Sequence, residues 1–253
     1  MNSSNSTSGR AEPTAVITRV GPTQWDAVAD GRIVGRGDAS RRPDGRIFLS
    51  IDSWHGSVFD RLAAVMLPEL STPLYTVVDE VDANLRSAWE RAGFTVRRRE
   101  WEYFGSTDPR HTGLDSIPIP DDVRILPVGA AQEGPLLELY TTIRAEVDIV
   151  ACPAGTVPID PARYAVATRS GRYVGLLGVA TRREHARIEL VAVHADVRRR
   201  GIARALLADV LGALHGSGIE TVSAYVNEAD TAAVALFDGV GRRAGSNLEL
   251  VRR

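Results

Sequence analysis

The chain has 253 residues, 44% of them hydrophobic, which is enough for one large domain or for two of about 100 to 150 residues with real cores. Its 32 acidic residues against 30 basic ones leave a net charge of -2, so no global field draws it to nucleic acid or to an anionic membrane. It contains no lysine, which excludes Schiff-base chemistry on its own side chains, and its single cysteine, Cys152, excludes an intramolecular disulfide and any multi-cysteine metal site.

In chain order, residues 1–13 are polar, lack the apolar core of a signal peptide and read as a disordered tail. The longest apolar runs, such as Val174 to Ala180, are too short to cross a bilayer, so no membrane partner and a cytoplasmic location are expected, with Cys152 as a buried small hydrophobe. Residues 14–20 begin the first strand. Gly31-Arg32-Ile33-Val34-Gly35 then reads as a Gly-Arg turn between hairpin strands, and it recurs as Gly171-Arg172-Tyr173-Val174-Gly175. The following strands also correspond, Arg46 to Ile51 with Arg187 to Ala192. Val78-Asp79-Glu80-Val81-Asp82 likewise corresponds to Val226-Asn227-Glu228-Ala229-Asp230, each leading eleven positions on to Gly93 and Gly241.

The repeat predicts an α+β chain of two tandem domains, 14–105 and 123–253, each with its own mixed, mainly antiparallel sheet flanked by helices. Between them, 106–122 is rich in proline and acid and reads as an exposed linker. In the second half, Val123 to Val128 opens a strand, and Leu136, Leu137, Tyr140 and Ile143 recur at helical spacing within Gln132 to Val147. The first half has no counterpart to that helix. Alternation in Ile188 to Val193 predicts a strand, and Ile202, Ala203, Leu206, Leu207, Val210, Leu211 and Leu214 give the next helix one broad apolar face. The short basic loop between them, Arg198-Arg199-Arg200-Gly201, would open that helix. Unpaired N–H groups, the positive end of the helix dipole and a glycine that admits close approach together suit a pyrophosphate.

Arg198-x-x-Gly201-x-Ala203, preceded by Leu190-Val191-Ala192-Val193-His194 and followed by Arg204-Ala205-Leu206-Leu207, resembles the Arg/Gln-x-x-Gly-x-Gly/Ala motif of the GNAT superfamily of acyl-CoA N-acyltransferases. The resemblance covers the C-terminal half. It implies acetyl-CoA, or another acyl-CoA, as acyl donor, with Val191, Ala192 and Val193 pairing with the pantetheine arm through their backbone. It also implies that the loop around Arg198, with amides from Arg199, Arg200, Gly201, Ile202, Ala203 and Arg204, cradles the pyrophosphate. Asn227 matches an asparagine that contacts coenzyme A, and read alone it is equally a turn residue or helix cap. Phe237 stands in the cofactor site where the family commonly has a tyrosine that protonates the departing thiolate, and a phenyl ring has no proton to give.

The reaction implied is direct transfer of an acetyl group to a primary amine, of a small molecule or a protein, with no metal and no covalent nucleophile. Glu189 is either the base that the family places on this strand or a cross-strand partner of Arg187 or Arg182. Period-two alternation puts it on the face of Val193. Tyr225 is the alternative acid. Asp148 and Glu146 lie where an acceptor mouth would form. In the first half, Asp52 to Ser57 replaces the basic loop, Asp79 replaces Asn227 and Trp89 replaces Phe237, which reads as a degenerate copy of the same fold. A non-catalytic acyl-CoA-binding protein is the competing reading. Nucleic-acid binding through Arg97-Arg98-Arg99 and Arg198-Arg199-Arg200 is disfavoured, because they form no continuous basic stripe.

Overall fold

The computed structural model describes residues 15–42, 45–114, 119–146 and 159–253. The first half runs β1 (Val16–Gly21), β2 (Gln24–Ala29), β3 (Arg32–Arg41), β4 (Ile47–Ser53), α1 (Gly56–Met66), β5 (Leu74–Asp79), α2 (Ala83–Arg91) and β6 (Thr95–Ser106). After the short α3 (Pro109–Thr112), the second half runs β7 (Val123–Leu126), α4 (Glu133–Glu146), β8 (Tyr164–Arg169), β9 (Arg172–Arg182), β10 (His185–Val193), α5 (Ile202–Gly216), β11 (Thr221–Asn227), α6 (Thr231–Asp238) and β12 (Arg242–Arg252).

The repeated sequence segments build the same local structures. Asp30 and Gly31 between β2 and β3, and Ser170 and Gly171 between β8 and β9, all have positive φ, as tight hairpin turns between right-twisted strands require. Past β5, the Asp79 carboxylate accepts from Val81 N–H at 3.1 Å; past β11, the Asn227 side-chain oxygen accepts from Ala229 N–H at 3.0 Å. Asp82 and Asp230 then cap α2 and α6, accepting from Leu85 and Ala233, each at 2.9 Å. β1 and β2 are joined by a two-residue turn, whereas α4 and residues outside the described set lie between β7 and β8.

The expected pair of separate sheets is replaced by one sheet of twelve strands, in the order β1-β2-β3-β4-β5-β12-β6-β11-β10-β9-β8-β7. From each edge the strands of one half run inward in sequence order, and each half is then completed by the last strand of the other. β12 pairs with β5, β6 pairs with β11, and β6 and β12 pair antiparallel in the middle. Alternation tells which face a strand buries but not which strand lies beside it, so this exchange leaves no mark in the pattern.

The register across β5, β12, β6 and β11 puts both helix pairs on one face of the sheet. Under α1 and α2, Trp25, Phe59, Met66, Trp89 and Phe94 form a core that takes Leu248 and Leu250 from β12. Under α5, Leu206, Leu207, Val210, Val222 and Ala224 form a second core that takes Tyr103 from β6. α1 sits close on the sheet because β3 carries glycine beneath it: a Cβ at Gly37 would lie 2.1 Å from the Met66 sulfur. The opposite face is covered at the second-half edge by α4, where Leu136, Leu139 and Ile143 meet Val166 and Leu176. Towards the centre that face carries charged and polar side chains.

The segment after β6 is not the exposed linker that its composition suggests. Thr107 and Leu114 are buried, Thr107 N–H donates to Glu220 O at 3.1 Å, and Asp108 caps α3 through Arg110 N–H at 3.0 Å. No helix among the described residues is long and apolar enough to cross a membrane.

Candidate active site

β10 leads through a single 3-10 turn, Ala195–Val197, and the basic loop into α5. His194 stabilises the turn, its Nδ1 accepting from Asp196 N–H at 3.4 Å. Arg199 and Gly201 both take left-handed backbone conformations, with φ of 66° and 82°. Gly201 is the N-cap of α5, and its carbonyl accepts the first i+4 bond, from Ala205 N–H at 2.9 Å. The N–H groups of Ile202, Ala203 and Arg204 therefore open outward with no helical partner. Arg198, Arg199, Arg200, Gly201 and Arg204 are exposed, Ala203 is half-buried, and Ile202 is buried against the sheet, where a Cβ on Gly175 would lie 3.2 Å from its Cγ2. A Cβ on Gly201 would meet nothing within 4 Å, so the space before the helix is open.

Beside this loop the sheet divides. β10 and β11 pair in parallel only from His185–Ile188 to Thr221–Ala224. Beyond that point Val191, Ala192 and Val193 pair with β9 alone, which leaves the backbone edge of β10 unpaired toward β11. The Val193 carbonyl is engaged by Arg198 Nε at 3.0 Å, tying the basic loop to the end of that strand.

Glu189 and Tyr225 are the first residues past the fork. A bulge between Ile188 and Leu190 breaks the period of two. Val191 and Val193 face the α5 core, while Leu190 and Ala192 face α4. Glu189 follows core-facing Ile188 and lies on the face away from α5, so it does not share the face of Val193. Both its carboxylate oxygens accept from guanidinium groups, Oε2 from Arg163 and Oε1 from Arg187 at 3.1 Å. Its partners are thus Arg187, two residues back on the same strand, and Arg163 from the turn before β8; the expected cross-strand pair with Arg182 is not formed. Tyr225 donates to Glu102 Oε1 at 3.0 Å, across to β6. Burial first, and then that hydrogen bond, raise its phenol pKa above the usual value.

On the helix face of the fork an apolar cavity is lined by Ile188, Val222, Ala224, Leu207, Tyr103 and Phe237. Phe237 is buried, its ring 5.6 Å from that of Tyr103. Asn227 lies at the end of β11, and its side-chain oxygen serves the turn to Ala229. Asp148 and Cys152, and the side chain of Glu146, lie outside the described residues.

The first half forks at the same place, since β4 and β5 pair only through Ile47 and Phe48 with Leu74 and Tyr75. There the buried Thr76 hydroxyl crosses the gap to Leu49 O at 3.0 Å, and Trp54 and His55 stand exposed before α1 in place of arginines. Arg97, Arg98 and Arg99 are spent on internal ion pairs, the first two with Glu249 at 2.7 and 3.2 Å and the third with Glu80 and Glu228.

Sequence reasoning missed three side chains at the fork: Glu102, Tyr103 and Arg163. Glu102 and Tyr103 reach it only because β6 is exchanged between halves, and Arg163 comes from the turn before β8. No spacing in the sequence links them to the motif.

Residues 137–241 match the model of the acetyltransferase (GNAT) family. A mycothiol acetyltransferase of Thermobispora bispora is 35% identical over 92 residues, a match that spans 32% of this chain and only 30% of that protein. Among solved structures, a GCN5-related N-acetyltransferase from Sphaerobacter thermophilus superposes with a TM-score of 0.68 at 18% identity, covering 93% of this chain and 82% of that one. A tandem GNAT protein from the clavulanic acid biosynthesis pathway gives 0.66 at 14% identity, covering 90% and 81%. A GCN5-related N-acetyltransferase from Kribbella flavida gives 0.62 at 14% identity, covering 94% and 89%. The family match covers part of the second half, and the solved structures show the fold, a GNAT-like α+β architecture with a mixed sheet flanked by helices.

Proposed function

We propose that this chain is a cytoplasmic acyltransferase that moves an acetyl group from acetyl-CoA to a primary amine. The observation that carries the reading is the fork after Ile188 and Ala224 opening onto the N-terminus of α5, with Gly201 left-handed and four arginines exposed around it. The unpaired edge of Val191, Ala192 and Val193 offers backbone groups to an extended amide-bearing arm. The amides from Arg199 to Arg204 and the arginine side chains offer donors and positive charge to a pyrophosphate. Bound acetyl-CoA would supply an activated thioester, and the chain has to orient an amine against it and hold that amine neutral.

The residues past the fork are the groups we assign to proton handling. Glu189 is held by two arginines, one on each carboxylate oxygen. Tyr225 keeps its proton at neutral pH, since its pKa is raised, and directs it at Glu102. Phe237 leaves the departing thiolate to water. A thiol pKa near 8.5 makes unassisted departure feasible at neutral pH.

Phe237 also favours a second reading, a non-catalytic acyl-CoA-binding protein in which the second half holds the ligand and the first half buttresses it. A screen of thiol release from acetyl-CoA over a broad amine panel, beside a calorimetric titration of acetyl-CoA, separates the two. Binding with amine-dependent release supports the enzyme, binding without release supports the second reading, and no binding refutes both.

A further inference from the structure

We infer that Glu102, brought to the fork on the exchanged strand β6, docks the acceptor's ammonium group and takes its proton; the inference rests on the acyltransferase reading above. An ammonium cannot approach along the helix face, because Ile188, Val222, Ala224, Tyr103 and Phe237 wall the fork there with apolar surface that would strand a charge. It must come from the other face. There two carboxylates stand next to the fork, and they differ in what already holds them. Glu189 has a guanidinium on each oxygen. Glu102, among the described residues, accepts only the hydroxyl of Tyr225, on Oε1 at 3.0 Å, and forms no ion pair with an arginine.

The second oxygen of Glu102 is kept accessible by the strand on its other side. Gly245 of β12 lies in register with Glu102, and a Cβ built there would come 3.6 Å from Oε2. Any larger side chain would cover that oxygen. Tyr225 acts as the positioning residue, clamping Oε1 so that Oε2 is left free over Gly245. In the step assigned, the ammonium gives one proton to Oε2 and the freed lone pair attacks the acyl carbon. The C–S bond breaks with its electron pair going to sulfur, and the second nitrogen proton reaches that thiolate through water. An amide, the thiol and a protonated Glu102 result, and Glu102 returns its proton to solvent.

The test uses the full chain, acetyl-CoA and 1,3-diaminopropane as the probe amine, in steady-state kinetics and in calorimetric titration of the diamine into coenzyme A-saturated protein. Glu102→Gln should raise the diamine KM and calorimetric Kd by about tenfold or more while leaving the acetyl-CoA KM unchanged, and Glu102→Asp should recover part of the loss. Tyr225→Phe should move the diamine KM in the same direction by a smaller factor. A Glu102→Gln variant whose diamine KM and Kd stay within about twofold of wild type overturns the inference. If wild type releases no thiol with any amine, the acyltransferase reading fails by itself. Diamine binding that is lost in Glu102→Gln would then leave docking standing without the proton step, and a wild type that does not bind the diamine removes docking as well.

Discussion

The ring of Phe237 lies 5.6 Å from that of Tyr103, and the Tyr103 hydroxyl reaches past it to donate to Asp238 Oδ1 at 2.8 Å and accept from Arg243 Nε at 3.0 Å. A phenyl ring thus occupies the α6 position, and a phenol from the exchanged strand stands beside it with its proton committed. Burial, followed by the bond to Asp238, raises the Tyr103 pKa, which keeps that proton in place. Tyr103→Phe should keep the ring packing and lose about 1–2 kcal/mol in urea denaturation, with acetyl-CoA affinity unchanged.

Phe237→Tyr asks a different question of the same contact. The added hydroxyl enters an apolar cavity, so the unliganded protein should lose about 1–2 kcal/mol unless the group finds a partner. If acyl transfer is limited by thiolate departure, the same variant should show a higher kcat at pH 7. An unchanged kcat would mean that departure needs no acid from this position.

Glu249 is 2% exposed on β12 and faces three guanidinium groups, Arg97 at 2.7 Å, Arg98 at 3.2 Å and Arg46 at 3.6 Å. These come from β6 and from the residue before β4, so one carboxylate pins the exchanged strand to both sides. Glu249→Gln takes away the buried carboxylate that three arginines share and should cost about 3 kcal/mol, even though Arg98 keeps Glu100. Arg46→Ala, which leaves two partners in place, should cost clearly less. Urea midpoints of the two variants check the order.

The local structure was far more legible than the neighbours. Gly31 and Gly171 announce their hairpin turns because that role depends only on φ, and Asn227 announces its turn because its target lies two residues on. The basic loop was readable for the same reason. Glu189 was placed on the wrong face because a bulge adds one residue to β10, and one residue inverts every later orientation. Glu102 and Tyr103 were out of reach for a topological reason. Nothing in Trp101-Glu102-Tyr103 says that the strand will be completed by a partner more than a hundred positions away.

Asp108 supplies a pH test. The Arg110 side chain bonds both its oxygens, Nε at 3.1 Å and Nη2 at 2.9 Å, and with the Arg110 N–H this lowers the carboxyl to a pKa of about 2. A folded pKa below the unfolded value, about 3.9, means stabilisation that is present above pH 4 and lost as pH falls through 2. Asp108→Asn keeps a side-chain oxygen to cap α3 but cannot titrate. Wild type should therefore lose urea resistance more steeply than the variant between about pH 4 and 2, and parallel curves would remove Asp108 from the acid response.

Gly201 separates the cost of backbone strain from the cost of lost ligand contacts. Its φ of 82° disfavours any side chain, yet a Cβ there would meet nothing within 4 Å, so Gly201→Val brings strain without a clash in the unliganded protein. That strain should reduce stability by about 1–2 kcal/mol, leaving a folded chain with an unchanged circular dichroism spectrum. The isopropyl group would nevertheless stand in the open space in front of the Ile202, Ala203 and Arg204 amides. If those amides receive the pyrophosphate, acetyl-CoA affinity by calorimetry should fall by about a hundredfold, well beyond what a 1 kcal/mol change in fold stability produces in a protein that remains folded. A matched substitution at Gly218, also left-handed at φ 79° with nothing within 4 Å but beyond the other end of α5, supplies the control. It should cost similar stability and leave affinity intact. Equal losses of affinity at both glycines would show that the helix as a whole, and not its N-terminus, was disturbed.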